Sequence, residues 1–379
     1  MKWAVQKLEE IVSIKTGKLD SNAAVSNGQY PFFTCDPQTL AINTYAYDTE
    51  AVLLAGNNAS GNYTAKYYHG KFNAYQRTYI IESIDKGKLD IHYFLYALNE
   101  QLALLKSISS GSTTKFLTMS MLKPLSVPCP TISVQHRIAS ILSAYDDPIE
   151  NNRRQIKLLE EVAQRLYREW FVELRFPGHE SVKVVDGVPE GWMKGTLNTI
   201  AEFTGKKANK AERERYKCYL PIDCLPKKSL AYINHDNISN AESSLLSFAE
   251  YDIIFGAMRP YFHKVVIAQE EGLTRSTCFV INSRSKEYWS YVCMLLFSEE
   301  AIDYATHVSV GTTMPYVRWK DFERMPVLIP SQKVAAHFHE MLLPIIQKIS
   351  CIAKHIALLS EARDRLLPKL MSGEMEVSE

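Results

Sequence analysis

The feature that most constrains the fold is an internal repeat, because the second half of the chain follows the plan of the first half about 200 residues later. The segment Gly111-Ser112-Thr113-Thr114-Lys115-Phe116 returns as Gly311-Thr312-Thr313-Met314-Pro315-Tyr316. Near the start, Trp3 and Leu8 reappear as Trp192 and Leu197, 189 residues later. The helical residues that return unchanged at the offset of 200 are Ile156, Leu158, Leu159, Glu161, Arg165 and Leu166. A duplicated unit presents two similar surfaces, which favours a two-site binding protein over a single catalytic pocket.

Length and charge set broad limits. A chain of 379 residues is too long for one typical core and suits two domains with connections. The formal net charge of +1 neither favours nor excludes nucleic acid, since a DNA-binding protein needs local positive potential and not a basic total. The segment from Lys194 to Lys217 is the one stretch with a basic bias.

The seven cysteines include no C-x-x-C pair, so the sequence predicts reduced thiols and neither a disulfide framework nor a zinc site. The N-terminus lacks an apolar signal segment, and no run of about 18 apolar residues occurs. We therefore expect a cytoplasmic protein that does not bind a membrane.

Motifs that would carry catalysis are missing from the sequence. It contains no phosphate-binding G-x-x-x-x-G-K-[ST] loop, no Asn-Pro-Pro-Tyr/Phe tetrapeptide and no H-E-x-x-H pair. His337 and His339 are two residues apart on a predicted helix, so their side chains diverge and do not suit a metal. The prediction for this chain is no catalytic residue, no metal and no cofactor of its own.

Secondary-structure signals divide the chain into mixed blocks and helical segments. Short β-type runs occur at Ala51–Ala55, 78–81, 251–255, 264–268 and 278–282, and residues 56–62 resemble a Gly/Asn-rich turn. Shorter helices are predicted over 91–106 and 287–304. A helix from Ser133 is expected to break or kink at Asp147-Pro148, and a second long helix is predicted from about Gln332 to Leu370. The predicted segments are 1–130, 131–176, 177–191, 192–330 and 331–379.

The two long helical segments carry matching apolar stripes. Spacing of three and four residues defines seams from Ile149 to Trp170 and from Ile349 to Leu370, each with six apolar residues in seven. The residues expected to be buried between the helices are Ile156, Leu159, Leu166, Ile356, Leu359 and Leu366. The predicted fold class is α+β: two similar mixed α/β domains separated by two long antiparallel coiled-coil helices, with a pseudo-twofold internal repeat.

Antiparallel pairing of these helices gives a length that fits DNA. The seam from Ile149 to Trp170 spans roughly 31 Å at the helical rise, and one turn of DNA spans roughly 34–36 Å. Such a rod would hold two readers about one helical turn apart, with unread base pairs between them.

The chain resembles the specificity subunits of type I restriction–modification systems. The resemblance lies in the run from Ile149-Glu150-Asn151-Asn152 through Glu169-Trp170-Phe171-Val172, in Arg175-Phe176-Pro177-Gly178 and in Val188-Pro189-Glu190-Gly191-Trp192. Ala55-Gly56-Asn57, Gly70-Lys71-Phe72 and Phe255-Gly256 with Arg259-Pro260-Tyr261 are similar to turns of the family's target-recognition domains. The C-terminal helix departs from the pattern, since it ends Pro368-Lys369-Leu370-Met371 where the first helix has Arg168-Glu169-Trp170-Phe171.

The resemblance implies a function. Residues 1–130 and 192–330 would be two target-recognition domains that read a bipartite, asymmetric site on double-stranded DNA. Residues 131–176 and 331–379 would be the conserved helical regions, and 177–191 a linker. The partners would be two modification (methyltransferase) subunits, which methylate adenine N6, and restriction (translocase/endonuclease) subunits. S-adenosylmethionine, ATP and Mg²⁺ would bind only in those partners.

Candidate DNA-contacting residues follow from side-chain chemistry, since Asn, Gln and Arg suit base edges and Lys suits phosphates. In the first block the candidates are Asn57, Asn58, Lys66, Asn73, Gln76, Arg77, Thr113 and Lys115. In the second block they are Lys206, Lys207, Arg259, Tyr261, Lys264, Arg275, Thr312 and Thr313. For the glycine–hydroxyl segments 111–115 and 311–313, phosphate contact and a purely structural turn are equally supported. Arg154, Tyr167 and Trp170 are predicted to face the modification subunits.

Two alternatives remain open at this level. The chain also fits the recognition subunit of a type IIB-like system, in which one partner chain both cleaves and methylates. A different class is a duplicated scaffold whose blocks bind proteins, which predicts no salt-dependent affinity for DNA.

Overall fold

The computed structural model describes residues 3–59, 61–109, 114–209 and 211–377. The chain forms two compact units: unit 1 comprises residues 1–147 and 360–379, and unit 2 comprises residues 148–359. Both boundaries cut through a long helix, so the predicted helical segments 131–176 and 331–379 are not compact units of their own.

Unit 1 is built around a six-stranded sheet with the strand order β2-β8-β5-β7-β3-β4. Its strands are β1 (Val5–Lys7), β2 (Val12–Thr16), β3 (Tyr30–Phe33), β4 (Leu40–Ile42), β5 (Tyr47–Ala55), β6 (Asn57–Asn58), β7 (Ala65–Ala74), β8 (Thr78–Ser83), β9 (Lys115–Phe116) and β10 (Ser126–Pro128). Its short helices are α1 (Leu8–Ile11), α2 (Ile91–Asn99), α3 (Leu102–Ile108) and α4 (Met119–Leu122). The long helix α5 (Ile132–Tyr167) begins in unit 1 and ends in unit 2.

Unit 2 contains two four-stranded sheets, ordered β14-β21-β18-β19 and β15-β17-β20-β16. Its strands are β11 (Val184–Val185), β12 (Val188–Pro189), β13 (Met193–Thr196), β14 (Ala201–Phe203), β15 (Lys206–Ala208), β16 (Cys218–Tyr219), β17 (Leu245–Phe248), β18 (Ile253–Gly256), β19 (Val265–Ile267), β20 (Gly272–Arg275), β21 (Cys278–Ser283) and β22 (Pro326–Ile329). Its helices are α6 (Leu197–Ile200), α7 (Trp289–Leu296), α8 (Glu299–His307), α9 (Trp319–Phe322) and most of α10 (Gln332–Ser372).

The two units share one pattern of strand pairing. In unit 1, β8 lies between β2 and β5, and in unit 2, β21 lies between β14 and β18, with antiparallel pairing throughout. Val52 pairs with Ile81 as Ile253 pairs with Ile281, and Ile14 pairs with Ile81 as Phe203 pairs with Ile281. The registers therefore match at offsets of 200 or 201 in the central strands and 189 in the first strand, close to the offsets of 200 and 189 found in the sequence.

The central strands are apolar on both faces because both faces are covered. In β5, Val52 and Leu54 pack in the main core of unit 1, whereas Ala51 and Leu53 pack with Phe33 and other residues on the opposite face. In β18, Ile253 and Phe255 join the main core of unit 2, and Ile254 packs on the other face. The strands predicted over 51–55, 78–81 and 278–282 are confirmed within β5, β8 and β21.

Several predicted boundaries are wrong. Helix α5 runs without a break through Pro148, so of the break or kink expected at Asp147-Pro148 the break is absent. The helix expected over 91–106 is divided after Asn99, and that expected over 287–304 is divided before Ser298, whose hydroxyl caps α8 by accepting from the N–H of Ala301 at 3.2 Å.

The linker is also more ordered than expected. Strands β11 and β12 form a hairpin around Asp186 and Gly187, whose φ angles of 51° and 73° are those of a tight hairpin turn. At the other end of the linker, Gly178 adopts a φ of 85°.

Each unit contains one pair of long-helix segments in contact. In unit 2, Asn152 bonds His355 at 3.3 Å and the ring of Trp170 lies 5.5 Å from that of Phe338, so these segments run antiparallel. In unit 1, Arg363 pairs with Asp146 at 2.6 Å. The helix predicted from about Gln332 to Leu370 is confirmed as α10.

Helix α10 is also long and apolar enough, by length and composition, to cross a membrane, with a mean hydropathy of 1.5 over its most apolar window. Its residues Phe338, Leu342, Ile346 and Ile349 are buried in the core of unit 2. Packing against the domain therefore accounts for these apolar residues.

Candidate nucleic-acid interface

In unit 1, a tight turn joins β7 to β8 and exposes two of the predicted residues. The N–H of Thr78 donates to the carbonyl of Tyr75 at 2.8 Å, which is the hydrogen bond of a four-residue β-turn. Gln76 and Arg77 are the two central residues of this turn, and both are exposed. The amide of Gln76 and the guanidinium of Arg77 therefore lie next to each other at the ends of strands β7 and β8.

The loop after β5 lies against this turn. The N–H of Gly56 donates to the carbonyl of Arg77 at 2.8 Å, and the N–H of Leu117 donates to the carbonyl of Gly56 at 2.8 Å. A side chain at Gly56 would place its Cβ 2.2 Å from the Arg77 carbonyl oxygen, so only glycine fits this close approach.

Residues 57–58, expected in a turn, form β6 and pair with β9. The predicted residues brought together are Asn57, Asn58, Gln76, Arg77 and Lys115. A recess of about 320 Å³ opens among Thr16, Gly56, Tyr79 and Leu117, beside Gln76 and Arg77.

Two predicted residues of unit 1 lie elsewhere. Asn73 is only 5% exposed; its amide donates to the Thr44 carbonyl at 3.4 Å, and its side-chain oxygen accepts from the N–H of Ala74 at 3.0 Å. The prediction that Asn73 contacts DNA is therefore wrong, because its polar atoms serve the fold. Lys66 reaches the hydroxyl of Thr39 at 3.2 Å, and its DNA contact stays a prediction. Thr113 lies outside the described residues.

In unit 2, the loop after β18 makes the corresponding contacts. The N–H of Ala257 donates to the carbonyl of Thr277 at 2.9 Å, and the N–H of Val317 donates to the carbonyl of Ala257 at 3.0 Å. Met258 then pairs with Tyr316. These bonds repeat those of Gly56 with Arg77 and Leu117, so the same two loops meet at the same strand ends in both units.

Arg259 and its neighbours continue this loop. Arg259 and His263 adopt φ angles of 50° and 51°, a conformation that non-glycine residues rarely adopt, on either side of a single turn at Pro260–Phe262. The N–H of Arg259 donates to the Pro315 carbonyl at 2.7 Å, and its guanidinium Nη2 donates to the Thr313 carbonyl at 3.1 Å. Tyr261, at the tip of the turn, is 48% exposed.

The remaining predicted residues of unit 2 divide into two groups. Arg275, Thr312 and Thr313 are exposed next to this loop, since Ser276 accepts a hydrogen bond from the hydroxyl of Tyr316 at 3.3 Å. Lys206 and Lys207 are exposed on β15, two strands away from β20.

Lys264 is half-buried, and its ammonium donates to the Ile222 carbonyl at 2.7 Å. Burial lowers the pKa of Lys264, although Asp223 opposes this effect. Lys264 therefore fastens a loop of its own unit, and its DNA contact stays a prediction.

The segments that form both loop clusters carry a positive formal charge, with Glu299 lying 3.5 Å from His263 in unit 2. In unit 1 the segments that meet are 56–59, 75–78 and 114–118, and in unit 2 they are 256–263, 274–277 and 310–317. Acidic residues number 42 in the whole chain, yet none occurs in these six segments, which contain Arg77, Lys115, Arg259 and Arg275. This local bias is the electrostatic feature required for a polyanion, and the net charge of the chain concealed it.

Comparisons with known proteins agree on one family. Residues 1–161 match the family model described as the type I restriction modification DNA specificity domain. The chain is 31% identical to the type I restriction enzyme MjaIX specificity subunit of Methanocaldococcus jannaschii over 312 aligned residues. The alignment covers 76% of this chain and 69% of that protein. The chain belongs to the type I restriction enzyme specificity subunits.

Other relatives support this assignment. The chain is 29% identical over 355 residues to the type I restriction enzyme EcoDI specificity subunit of Escherichia coli, which covers 86% of this chain and 78% of that protein. The crystal structure of a type I restriction-modification system S subunit from M. genitalium shares the fold, with a TM-score of 0.61, 17% identity, and coverage of 99% of this chain and 97% of that one. The type IIB-like and scaffold alternatives are not favoured by these relatives.

The helices of this specificity subunit have a different exposed surface from the one expected. Tyr167 and Trp170 are 6% and 4% exposed, and they pack in the core of unit 2. The prediction that they face a partner is therefore wrong. Arg154 is exposed and pairs with Glu150 at 3.3 Å.

The most exposed large apolar residues of α5 and α10 are instead Leu158, Val162 and Leu358, which are 61%, 51% and 65% exposed. A sequence signal for two of them existed, since Leu158 and Leu358 are equivalent in the repeat and neither belongs to a seam. Of the seam residues, Ile156 and Ile356 are buried, Leu159, Leu166 and Leu359 pack partly buried on the core of unit 2, and Leu366 packs on the core of unit 1.

Proposed function

We propose that this specificity subunit reads a bipartite, asymmetric site on double-stranded DNA, with one half read by the loop cluster of each unit. The observation that carries this proposal is the recurrence of the same loop pairing, free of acidic residues, at the same strand ends of both units. The frame is repeated, but the side chains differ. Unit 1 presents Asn57 and Gln76, which suit adenine, whereas unit 2 presents Tyr261. Two like frames with unlike readers suit two unlike half-sites.

The long helices would fix the distance between the two half-sites. We infer a pseudo-twofold arrangement in which α5 and α10 form an antiparallel coiled coil. The contacts of Asn152 with His355 and of Asp146 with Arg363, one within each unit, support this pairing. Polar residues at such positions favour one register over others, at some cost in stability.

The proposed assembly supplies the chemistry from other chains. Two modification subunits would bind S-adenosylmethionine and methylate adenine N6, and restriction subunits would use ATP and Mg²⁺ to translocate and cleave DNA. This chain would break no bond and would work in the cytoplasm. The exposed Leu158 and Leu358, with Arg154, are the candidate contacts for the modification subunits, since equivalent leucines suit two copies of one partner.

Methylome sequencing of cells with and without this chain tests the proposal. The expected result is a bipartite methyladenine motif that disappears with the chain. Replacing Gln76→Ala should then alter one half of the motif, and Tyr261→Ala should alter the other half. A motif that persists without the chain, or that changes in both halves with either variant, contradicts the proposal.

Binding measurements with the purified methyltransferase complex test the DNA contact separately. Affinity for a duplex with the motif should fall steeply as salt rises, because phosphate contacts release counterions. A protein-binding scaffold would show no such dependence.

A further inference from the structure

The loop between α8 and α9 in unit 2 is closed at its base by backbone hydrogen bonds, and its tip is exposed to solvent. Val310 and Tyr316 exchange two backbone hydrogen bonds, of 3.0 and 2.9 Å, which close the loop at its base. The tip is Gly311, Thr312, Thr313 and Met314, all exposed. Gly311 adopts a φ of 98°, a conformation that favours glycine. The loop therefore has a defined backbone although its tip contacts little of the protein.

The tip is rich in donors that the protein leaves unused. Among the described residues, the N–H groups of Gly311, Thr312, Thr313 and Met314 have no backbone or side-chain acceptor, and neither threonine hydroxyl has a partner. Consecutive backbone N–H groups near a positive-φ residue form the concave sites in which proteins bind anions. Six donors in four exposed residues thus suit an oxyanion.

Arg259 is the residue that joins this tip to the loop after β18. Its backbone N–H holds the Pro315 carbonyl and its guanidinium holds the Thr313 carbonyl, so it fixes the loop from both sides. Its Nε is buried and has no partner among the described residues. The guanidinium is therefore held in place between the two loops and adds a fixed positive charge beside the tip.

We propose that Gly311–Met314 is a phosphate-binding loop that holds the DNA backbone, and that Arg259 is its positioning residue. The proposal rests on the DNA-reading function proposed above and assigns a role to a loop that the sequence left undecided between phosphate contact and structural turn. Backbone N–H groups and threonine hydroxyls suit phosphate oxygens and carry no base code, so this contact is independent of DNA sequence. Base reading in unit 2 then falls to Tyr261 and its neighbours.

The test uses the complete methyltransferase complex and two DNA duplexes of equal length. One duplex contains the recognition motif identified by methylome sequencing, and the other lacks it. The variants are Arg259→Met, Arg259→Lys and the double change Thr312→Ala with Thr313→Ala. Removing the phosphate contact should weaken binding to both duplexes by the same factor, about tenfold for Arg259→Met. The slope of log affinity against log salt should fall by about 0.9 for each phosphate that the variant no longer neutralises. Arg259→Lys keeps the charge but loses the planar fork, so its effect should be smaller.

Gly187→Ala provides a matched control, because Gly187 has a similar positive φ of 73° in the β11–β12 turn, away from the interface. It should leave the salt slope and the affinity unchanged. The methylated motif should stay the same in every variant.

A change of base at one position of the motif in Arg259→Met would overturn the proposal in favour of base reading. Wild-type salt slopes in all three variants would also overturn it. Failure of the proposed function is distinguishable, since the wild-type complex itself would then show no salt-dependent binding.

Discussion

The two units carry different side chains on one frame of strands. In unit 1, Lys15 pairs with Glu82 at 2.8 Å. At the matching positions of unit 2, Thr204 and Asn282 both donate to one oxygen of the buried Asp252, at 3.3 and 2.8 Å. A surface ion pair has thus been exchanged for a partly buried hydrogen-bond network around one carboxylate, without a change in strand order or register. The frame depends on backbone pairing and apolar burial, and its polar edges are free to diverge.

The loop clusters show the same relation, since their backbone contacts match more closely than their side chains. Gly56 and Ala257 are equivalent, and each donates its N–H to the strand-end residue, Arg77 or Thr277. The difference is steric, because a Cβ at Gly56 meets a backbone carbonyl at 2.2 Å, whereas unit 2 accommodates alanine. Position 56 of unit 1 therefore has no room for the methyl group that position 257 of unit 2 carries.

The largest expected effect on stability comes from Gly56→Ala, which gives unit 1 the residue that unit 2 has at the equivalent position 257. The added methyl group must push the Arg77 turn away, which should destabilise unit 1 by about 1–3 kcal/mol and displace Gln76 and Arg77. Hydrogen exchange should quicken in peptides covering β5 and β8, and DNA affinity of the complex should fall. The reverse change, Ala257→Gly, is the control and should cost about 0.5–1 kcal/mol with little loss of affinity. Equal effects of the two changes would show that the loop contacts are not as different as the geometry indicates.

A second prediction concerns Glu160 of α5, whose carboxylate is buried in unit 2. One oxygen accepts from the hydroxyl of Ser229 and from the N–H of Leu230, each at 2.7 Å. Glu160→Ala leaves the Leu230 N–H buried without an acceptor and should destabilise unit 2 by about 1–3 kcal/mol. Four of the five tryptophans lie in unit 2, so urea unfolding followed by tryptophan fluorescence reports the loss.

The same carboxylate should make the stability of unit 2 depend on pH. Burial raises the pKa of Glu160, although hydrogen bonds from Ser229 and Leu230 oppose the effect. The folded state therefore holds its proton more strongly than the unfolded state. The resulting stability is complete below the unfolded pKa and is lost as pH rises through the folded pKa.

Glu160→Gln is the matched control, because its single carbonyl oxygen can accept both bonds. It should be at least as stable as the wild type at neutral pH, and this advantage should shrink on acidification through the folded pKa of Glu160. An advantage that grows on acidification would contradict the assigned shift.

A smaller effect is expected from removing, one at a time, the side chains of two polar residues in unit 1, Asn73 and Gln76. Asn73→Ala should cost about 1 kcal/mol, because it removes hydrogen bonds inside the fold, and should leave the methylated motif unchanged. Gln76→Ala should leave stability within about 0.5 kcal/mol and alter the motif. Thermal unfolding and methylome sequencing of both variants measure the two properties separately. A changed motif in Asn73→Ala would restore that residue to the interface.

The repeat made much of the frame predictable from the sequence. The offsets of 189 and 200 residues reappear as matching strand registers, and residue type and spacing located β5, β8, β21 and α10. Five of the eight candidates in the first block meet in one loop cluster, because turn residues rich in Asn, Gln and Arg fall at strand ends. These features are local, or they repeat, so a single sequence reveals them.

Burial decided by distant segments was not predictable in this way. Asn73 has a side chain suited to DNA, but the carbonyl of Thr44, brought near by folding, takes its amide. Trp170 was expected at an exposed face, but Phe338 and His337 of α10 cover its ring. Pro148 was expected to break or kink α5, and the helix continues through it without a break. The two side chains were misplaced because their partners lie far away in the chain.

The smallest expected effect tests whether the polar edge of unit 1 can take the chemistry of unit 2. The double change Lys15→Thr with Glu82→Asn removes the ion pair and installs the residues found at the matching positions. Burial opposes ionisation of Glu82, but hydrogen bonds from Lys15 and Thr49 outweigh it and lower its pKa. Because the Lys15 side chain is 59% exposed, the pair should contribute no more than about 0.5–1 kcal/mol, and less at high salt. The double variant should therefore unfold within about 1 kcal/mol of the wild type, with its DNA motif intact. A loss of several kcal/mol would mean that the Lys15–Glu82 pair is needed for the fold of unit 1. Thr204 and Asn282 would then replace such a pair in unit 2 only because Asp252 accepts their hydrogen bonds.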